Sequence, residues 1–259
     1  MYIIVCVKQV KNYNLEKRKT SANSGSNDMF HNPVDLMALA WAMKLKQMYG
    51  FKVITISMGP LNAKSQVRLL YSYGVDRAVL LSSKTLAGSD TYATSYALGE
   101  LIRNYFSDYS MILCGDKTLD SETGQVPHSL AMALGVSSYS NIVEILRKED
   151  CFEVTCEVES DRVKMTEKDK LLCTVTQGPK DYVNLPAIKN IIDSESKEVE
   201  ILTSKDLKVK DEVVGQKGSY TKVISLHEKN FVTRRKQQNI VFSEEKMGML
   251  MKVILGESL

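Results

Sequence analysis

The stretch LDSETGQVPHSLAMALG, residues 119–135, follows directly on the apolar run MILCG. Asp120, Ser121, Glu122 and Thr123 stand just ahead of an apolar helix. A polar turn between a buried strand and a helix N-terminus has the groups to hold a phosphate. The free N–H groups of the first turn and the positive end of the dipole both face an incoming anion. The helix is expected to start near Glu122. The acids would repel a phosphate, so Asp120 is assigned to capping the helix or to a ribose hydroxyl, and Glu122 points away. The same residues could do no more than cap a helix.

Three further turns are expected on the same edge. They are Lys8-Gln9, Met58-Gly59-Pro60 and Gly88-Ser89-Asp90-Thr91. Gly59, Gly88, Gly115 and Gly124 would let a ligand approach the backbone. Thr91, Thr94 and Thr123 offer hydroxyls. Neither G-x-G-x-x-G nor G-x-x-x-x-G-K-[ST] occurs, so these residues point to an adenine nucleotide or dinucleotide and no further. His31, His128 and His227 are scattered and form no metal ligand set, and no nucleophile–base arrangement is legible.

The elements that must position these turns alternate. Tyr2–Val7, Lys52–Ser57, Arg77–Leu81 and Met111–Cys114 are apolar runs of strand length, with a fifth strand near Asn141–Ile145. Helices are expected from Asn32-Pro33-Asp35 to about Met48, from Pro60 to about Tyr73, from Ser89 or Asp90 to about Phe106, and from the opening turn to Gly135. Asn32 reads as a cap, Pro33 as the first helical residue and Asp35 as a first-turn acid. This order implies βαβ units and a doubly wound, mostly parallel sheet, a Rossmann-like α/β fold that binds ligands beyond the carboxyl ends of its strands. After residue 150 the pattern alternates through 152–158, 163–165 and 171–175, read as an antiparallel meander. Residues 11–31 form a polar excursion and read as an exposed loop with a short hairpin. An apolar helix closes the chain near Glu244–Ile254. The segment 205–243 has too few apolar residues to fold alone, so it is expected to wrap a partner subunit.

Bulk composition sets the frame. The chain has 259 residues, 44% hydrophobic and 25% charged, with a formal net charge of +3. That charge is too small to suggest nucleic acid as a partner. No run reaches the roughly 18 apolar residues of a membrane span, so no membrane insertion is expected. The five cysteines form no C-x-x-C pair, and Met1 leads straight into a strand without a signal peptide. A reducing, cytoplasmic setting fits. Trp41 reads as core or interface; Lys17-Arg18-Lys19 and Arg234-Arg235-Lys236 read as solvated charge.

Taken in order, VCVKQV (5–10), NPVD (32–35), ISMGP (56–60), GVDRA (74–78), AGSDTYATS (87–95) and LDSETGQVP (119–127) resemble the β subunit of electron transfer flavoproteins. The resemblance spans nearly the whole chain. It implies a heterodimer whose α subunit carries an FAD, and a C-terminal arm that wraps this α subunit. The β subunit of such proteins holds either AMP, as a structural ligand, or a second FAD. Members with the second FAD bifurcate electrons: they oxidise NADH and feed one electron to a high-potential acceptor and one to ferredoxin or flavodoxin.

GSDTYATS (88–95), DSETGQVP (120–127) and KGSYTKV (217–223) each resemble the FAD-binding, bifurcating type, so FAD is the expected cofactor and AMP the alternative. Ser121, Gly124, Pro127-His128 and Tyr220 depart from that pattern. The resemblance puts Cys6 and Val7 near the adenine. It puts Thr91, Thr94, Thr123, Gln125 and Val126 around the pyrophosphate. Lys8, Met58, Gly59, Asp90, Gly115, Asp120, Gly124 and Pro127 complete the expected cofactor set. NLPAIKNIIDSE (184–195) resembles the family's docking loop, with Leu185 as anchor for an acyl-CoA dehydrogenase. The implied division is a nucleotide-binding domain over 1–195, with the docking loop at 178–195, and the arm over 196–259. A nucleotide-sensing domain would share the fold but have no use for such an arm.

Overall fold

The computed structural model describes residues 1–11, 29–159, 161–179, 185–207 and 209–221, together with Ile224 and Met247. In chain order the elements are β1 (Tyr2–Cys6), β2 (Gln9–Lys11), β3 (Met29–His31), α1 (Pro33–Tyr49), β4 (Lys52–Met58), α2 (Lys64–Leu69), β5 (Arg77–Leu81) and α3 (Thr91–Tyr105). They continue with β6 (Tyr109–Gly115), α4 (Gln125–Leu134), β7 (Ser137–Tyr139), β8 (Ile142–Lys148), β9 (Cys151–Val158), β10 (Asp161–Glu167), β11 (Leu171–Val175), α5 (Ile188–Ser194), β12 (Glu200–Leu202) and α6 (Gly215–Gly218).

Seven strands form one parallel sheet in the order β12-β5-β4-β1-β6-β11-β7. The chain moves outward from β1 through β4 to β5, then returns to start β6 on the other side of β1. That reversal is a topological switch point, where the carboxyl ends of β1 and β6 bound a crevice. Because successive side chains point to opposite faces, β1 feeds two cores. Ile3 and Val5 pack with Leu39, Trp41 and Leu45 of α1, while Ile4 packs with Leu98, Leu101 and Ile102 of α3. Removing side chains of this size from water stabilises the fold by roughly 1.5–3 kcal/mol each, which holds the sheet rigid beneath the crevice. Trp41 is core, and its indole N–H donates to the Gln177 carbonyl at 3.0 Å.

Three expectations change. Leu171–Val175 is not part of the meander but a central strand of the parallel sheet, paired with β6 and β7. All five of its residues are buried, as a strand covered on both faces requires. The strand near 141–145 is instead β8, which joins β9 and β10 in the separate antiparallel sheet. The helix expected up to Tyr73 is interrupted: α2 is flanked by 3-10 turns over Leu61–Ala63 and Leu70–Tyr73. The predicted hairpin in the polar excursion is seen at its base, where β2 pairs antiparallel with β3.

The chain divides into two units, Met1–Lys222 and Val223–Leu259. Of the second, only Ile224 and Met247 are described, so the closing helix lies outside the described residues apart from a helical Met247. The two basic triplets also lie outside them. Among the described residues, no helix is long and apolar enough to cross a membrane.

Candidate functional site

The crevice is built on Asn32-Pro33-Val34-Asp35. These residues do more than start α1. Asn32 makes no side-chain cap. Its Nδ2 donates to the Lys117 carbonyl at 2.9 Å and its Oδ1 accepts from the Leu119 N–H at 3.3 Å. Asp35 Oδ2 accepts from the Lys8 N–H at 2.8 Å, and Oδ1 from the Gly115 N–H at 3.1 Å. One short segment therefore ties the end of β1 to the end of β6 and holds the turn that follows. Burial pushes the Asp35 carboxyl up to about 7, against the pull of hydrogen bonds from Lys8, Asn32 and Gly115 and the charge of Lys8.

Across the crevice mouth, the Lys8 ammonium pairs with Asp120 at 2.8 Å. Asp120 also accepts from the Thr118 hydroxyl at 2.8 Å. Burial raises its carboxyl, but the Lys8 and Thr118 bonds reverse this and leave it below the ordinary carboxylate range. Asp120 is thus neither a helix cap nor a bare charge. The helix begins at Gln125, not near Glu122. Glu122 at φ 52° and Gly124 at φ 62° turn the chain through the left-handed region first. Gly124 is the cap residue and has no side chain to satisfy the first N–H groups of α4.

The turn before α3 is arranged differently. Asp90 caps α3, its Oδ1 accepting from the Ala93 N–H at 2.9 Å. Its Oδ2 accepts from the Thr221 N–H at 3.0 Å and hydroxyl at 3.1 Å. Burial raises this carboxyl, and these donors more than offset it, holding it below the usual range. The Ser219 hydroxyl accepts from the Asp90 N–H at 2.8 Å and lies 3.2 Å from the Gly88 carbonyl. Gly88, at φ +72°, leaves room for Gln216, whose N–H bonds the Ala87 carbonyl at 3.0 Å. Residues 215–221 are thereby clamped on the 87–91 turn, and Tyr220 packs edge-on against Tyr92 at 4.8 Å.

The expected residues gather at this one edge. Lys8, Gly115 and Asp120 bound the crevice, with Cys6 half-buried against Cys114, whose thiol their mutual hydrogen bond and burial push well up. Val7 is buried, and its carbonyl accepts from the Ser57 hydroxyl at 2.7 Å. The Thr91 hydroxyl donates to Gln125 Oε1 at 3.1 Å, which joins the starts of α3 and α4. Thr94 and Val126 are half-buried, Thr123 is exposed and Pro127 is buried. Met58 packs on the core at the end of β4, and the Gly59 N–H bonds the Leu81 carbonyl at 3.1 Å. Sequence reasoning missed the crevice roles of Asn32, Asp35 and Thr118, and the clamp made by Ser219 and Thr221. An asparagine and an aspartate around a proline look locally like a helix start, and only the return of β6 beside β1 supplies their partners.

Leu185 lies elsewhere. It is 90% exposed. With Pro186 and Ala187 it lines a groove of about 630 Å³ against Leu36, Met37 and Tyr73. Of the expected docking loop over 178–195, residues 180–184 lie outside the described residues; in α5, Ile188 and Ile192 are also exposed.

The arrangement can receive an anion at the start of α4. It combines an uncapped helix start, two threonine hydroxyls and one ammonium, and Asp90 and Asp120 beside it are held by donors of their own. Comparison with known proteins identifies the family. Residues 24–207 match the family model described as "Electron transfer flavoprotein domain". The chain is 33% identical over 230 residues to an electron transfer flavoprotein subunit beta of Thermoanaerobacterium thermosaccharolyticum, covering 87% of each chain. It is 32% identical to the subunit of the same name from Megasphaera elsdenii, covering 86% of each. It is also 35% identical to protein FixA of Bradyrhizobium diazoefficiens, over 61% of this chain and 57% of the relative.

Proposed function

This chain belongs to the electron transfer flavoprotein family, as a β subunit, and from that premise we propose that its β1/β6 crevice binds FAD within an NADH-oxidising, electron-bifurcating complex that serves an acyl-CoA dehydrogenase. When bound, FAD would supply the redox chemistry, accepting hydride from NADH and releasing single electrons toward the α-subunit FAD and toward ferredoxin or flavodoxin. The chain's own residues bind and orient. The N–H groups of Gln125 and Val126, with the Thr91 and Thr123 hydroxyls, would hold the pyrophosphate at the open start of α4. Lys8 would share its charge between that anion and Asp120. Cys6 and the backbone of Val7 would border the adenine. Leu185 would anchor the dehydrogenase, as the resemblance of 184–195 to the family's docking loop implies and its exposure allows. The same reading places the complex in the cytoplasm.

The observation that carries FAD over AMP is the clamping of 215–221 onto the 87–91 turn by Ser219 and Thr221. On this reading the junction forms part of the rim that the larger FAD would need. The test is the nucleotide content of the αβ complex, released with acid and separated by chromatography. Two FAD per heterodimer are expected, with NADH bleaching the flavin. One FAD and one AMP would mean that the polar turn is a structural clamp and would remove bifurcation.

A further inference from the structure

We infer that Asp35 is a positioning residue: its single carboxylate holds the two sides of the crevice together, and a proton delivered to it loosens the crevice and the nucleotide there. The release half of this inference rests on the nucleotide reading above; the clamp half does not.

The ladder between β1 and β6 ends at the pair Val5–Leu113. Beyond it, Asp35 acts as one more rung. Oδ2 takes the Lys8 N–H on one side, at 2.8 Å, and Oδ1 takes the Gly115 N–H on the other, at 3.1 Å. The residue is 5% exposed, so water does not offer either amide a ready substitute. Gly115 is shaped for the contact: a Cβ there would lie 2.5 Å from Asp35 Oδ1 and 2.9 Å from the Val34 backbone. Both rungs need an acceptor. A carboxylate accepts at both oxygens, whereas a carboxylic acid turns one of them into a donor that faces an N–H.

The surroundings let that proton arrive near neutral pH, because burial outweighs the donors around Asp35 and pushes its carboxyl up to about 7. The charged and titratable groups that bear on it are few. Lys8, at the end of β1, is a cation held by Asp120. Cys114, on β6, stays a neutral thiol, because its bond with Cys6 and its burial push it up. Asn32, on the same turn, does not titrate. His31, on β3, is turned to the Gln66 carbonyl at 2.8 Å, and burial lowers its pKa so that it stays neutral.

The signs separate this device from ordinary acid unfolding. The folded carboxyl lies above its unfolded value, so between that value and about 7 rising pH costs global stability. Lowering the pH from 8 to 6 therefore does not lower global stability through Asp35, yet it removes one of the two rungs.

The experiment is amide exchange on the αβ complex between pH 6 and 8, corrected for the intrinsic pH dependence, in the peptides that contain Lys8 and Gly115. Bound nucleotide is assayed on the same samples. Protection of these amides should fall about tenfold from pH 8 to 6, the factor carried by one charge-assisted hydrogen bond, with nucleotide release rising in step. Asp35→Asn should give the low-protection state at every pH, because its amide offers one acceptor where two are used. Should that variant fail to fold, the native complex alone decides. Protection that is flat with pH in the native complex would overturn the clamp. Protection that falls while bound nucleotide stays constant would overturn the release. A native complex with no nucleotide at any pH would instead sink the nucleotide reading, leaving the amides to decide the clamp.

Discussion

Two helices start side by side at the carboxyl edge of the sheet, and their first turns are finished in opposite ways. At α3, Asp90 occupies the cap with a carboxylate and binds Ala93 on one side and Thr221 on the other. At α4, the cap is Gly124 in a left-handed conformation, without a side chain. The first helix carries its own anion, and that anion serves to dock a distant segment. The second leaves its donors and its positive dipole end for an anion from outside. Acidic residues in both turns made them look alike in the sequence. One acid of the second turn, Asp120, is withdrawn to Lys8 on the far side of the crevice. An acid near the proposed phosphate site is therefore no contradiction when, like Asp120, it has its own partner.

The comparison is broken most severely by giving α4 the cap that α3 has. Gly124→Asp puts a carboxylate where the nucleotide's anion is proposed to sit, in a left-handed position that aspartate tolerates better than most residues. Nucleotide retained through gel filtration should fall at least about a hundredfold in affinity terms, while the protein loses no more than about 1 kcal/mol, since a cap is gained as strain is added. Retention at the native level would show that the start of α4 is not the anion site.

The converse change is next in size. Asp90→Ala removes a cap and the tie to Thr221 together. A loss of about 1–2 kcal/mol is expected, read as a fall of a few degrees in Tm. Limited proteolysis should then cut near 215–221 faster than in the native chain. An unchanged cleavage pattern would mean that the Ser219 bonds hold that segment alone.

The smallest effect belongs to Asp120→Asn. The Lys8 pair is partly exposed, so stability should change by no more than about 0.5 kcal/mol. Its pH dependence also has a sign. Asp120 is held below the ordinary range, so its contribution is complete above the unfolded value of about 3.9 and is lost only as pH falls through the depressed folded value. Denaturation midpoints of native and Asp120→Asn protein should run parallel from pH 6 to 8. Any divergence there would move the titration assigned to Asp35 onto this pair.

The sequence by itself determined the alternation of strands and helices, the buried strands, and the four turns that reach one edge, because hydrophobic period and turn residues are local signals. It also carried the family, through motifs in fixed order. It did not determine which run belongs to which sheet: LLCTV and the alternating strands before it are both strand-like, and only burial on two faces puts β11 beside β6. Nor did it distinguish the two helix starts. Local chemistry read Asn32 and Asp35 as cap and first-turn acid, and Asp120 as a cap for α4 or a ribose ligand. Only the tertiary structure brought Lys8, Gly115 and Leu119 within reach of those side chains. Their partners lie 27 to 112 residues away, and a contact across such a span exists only once β6 has returned to lie beside β1.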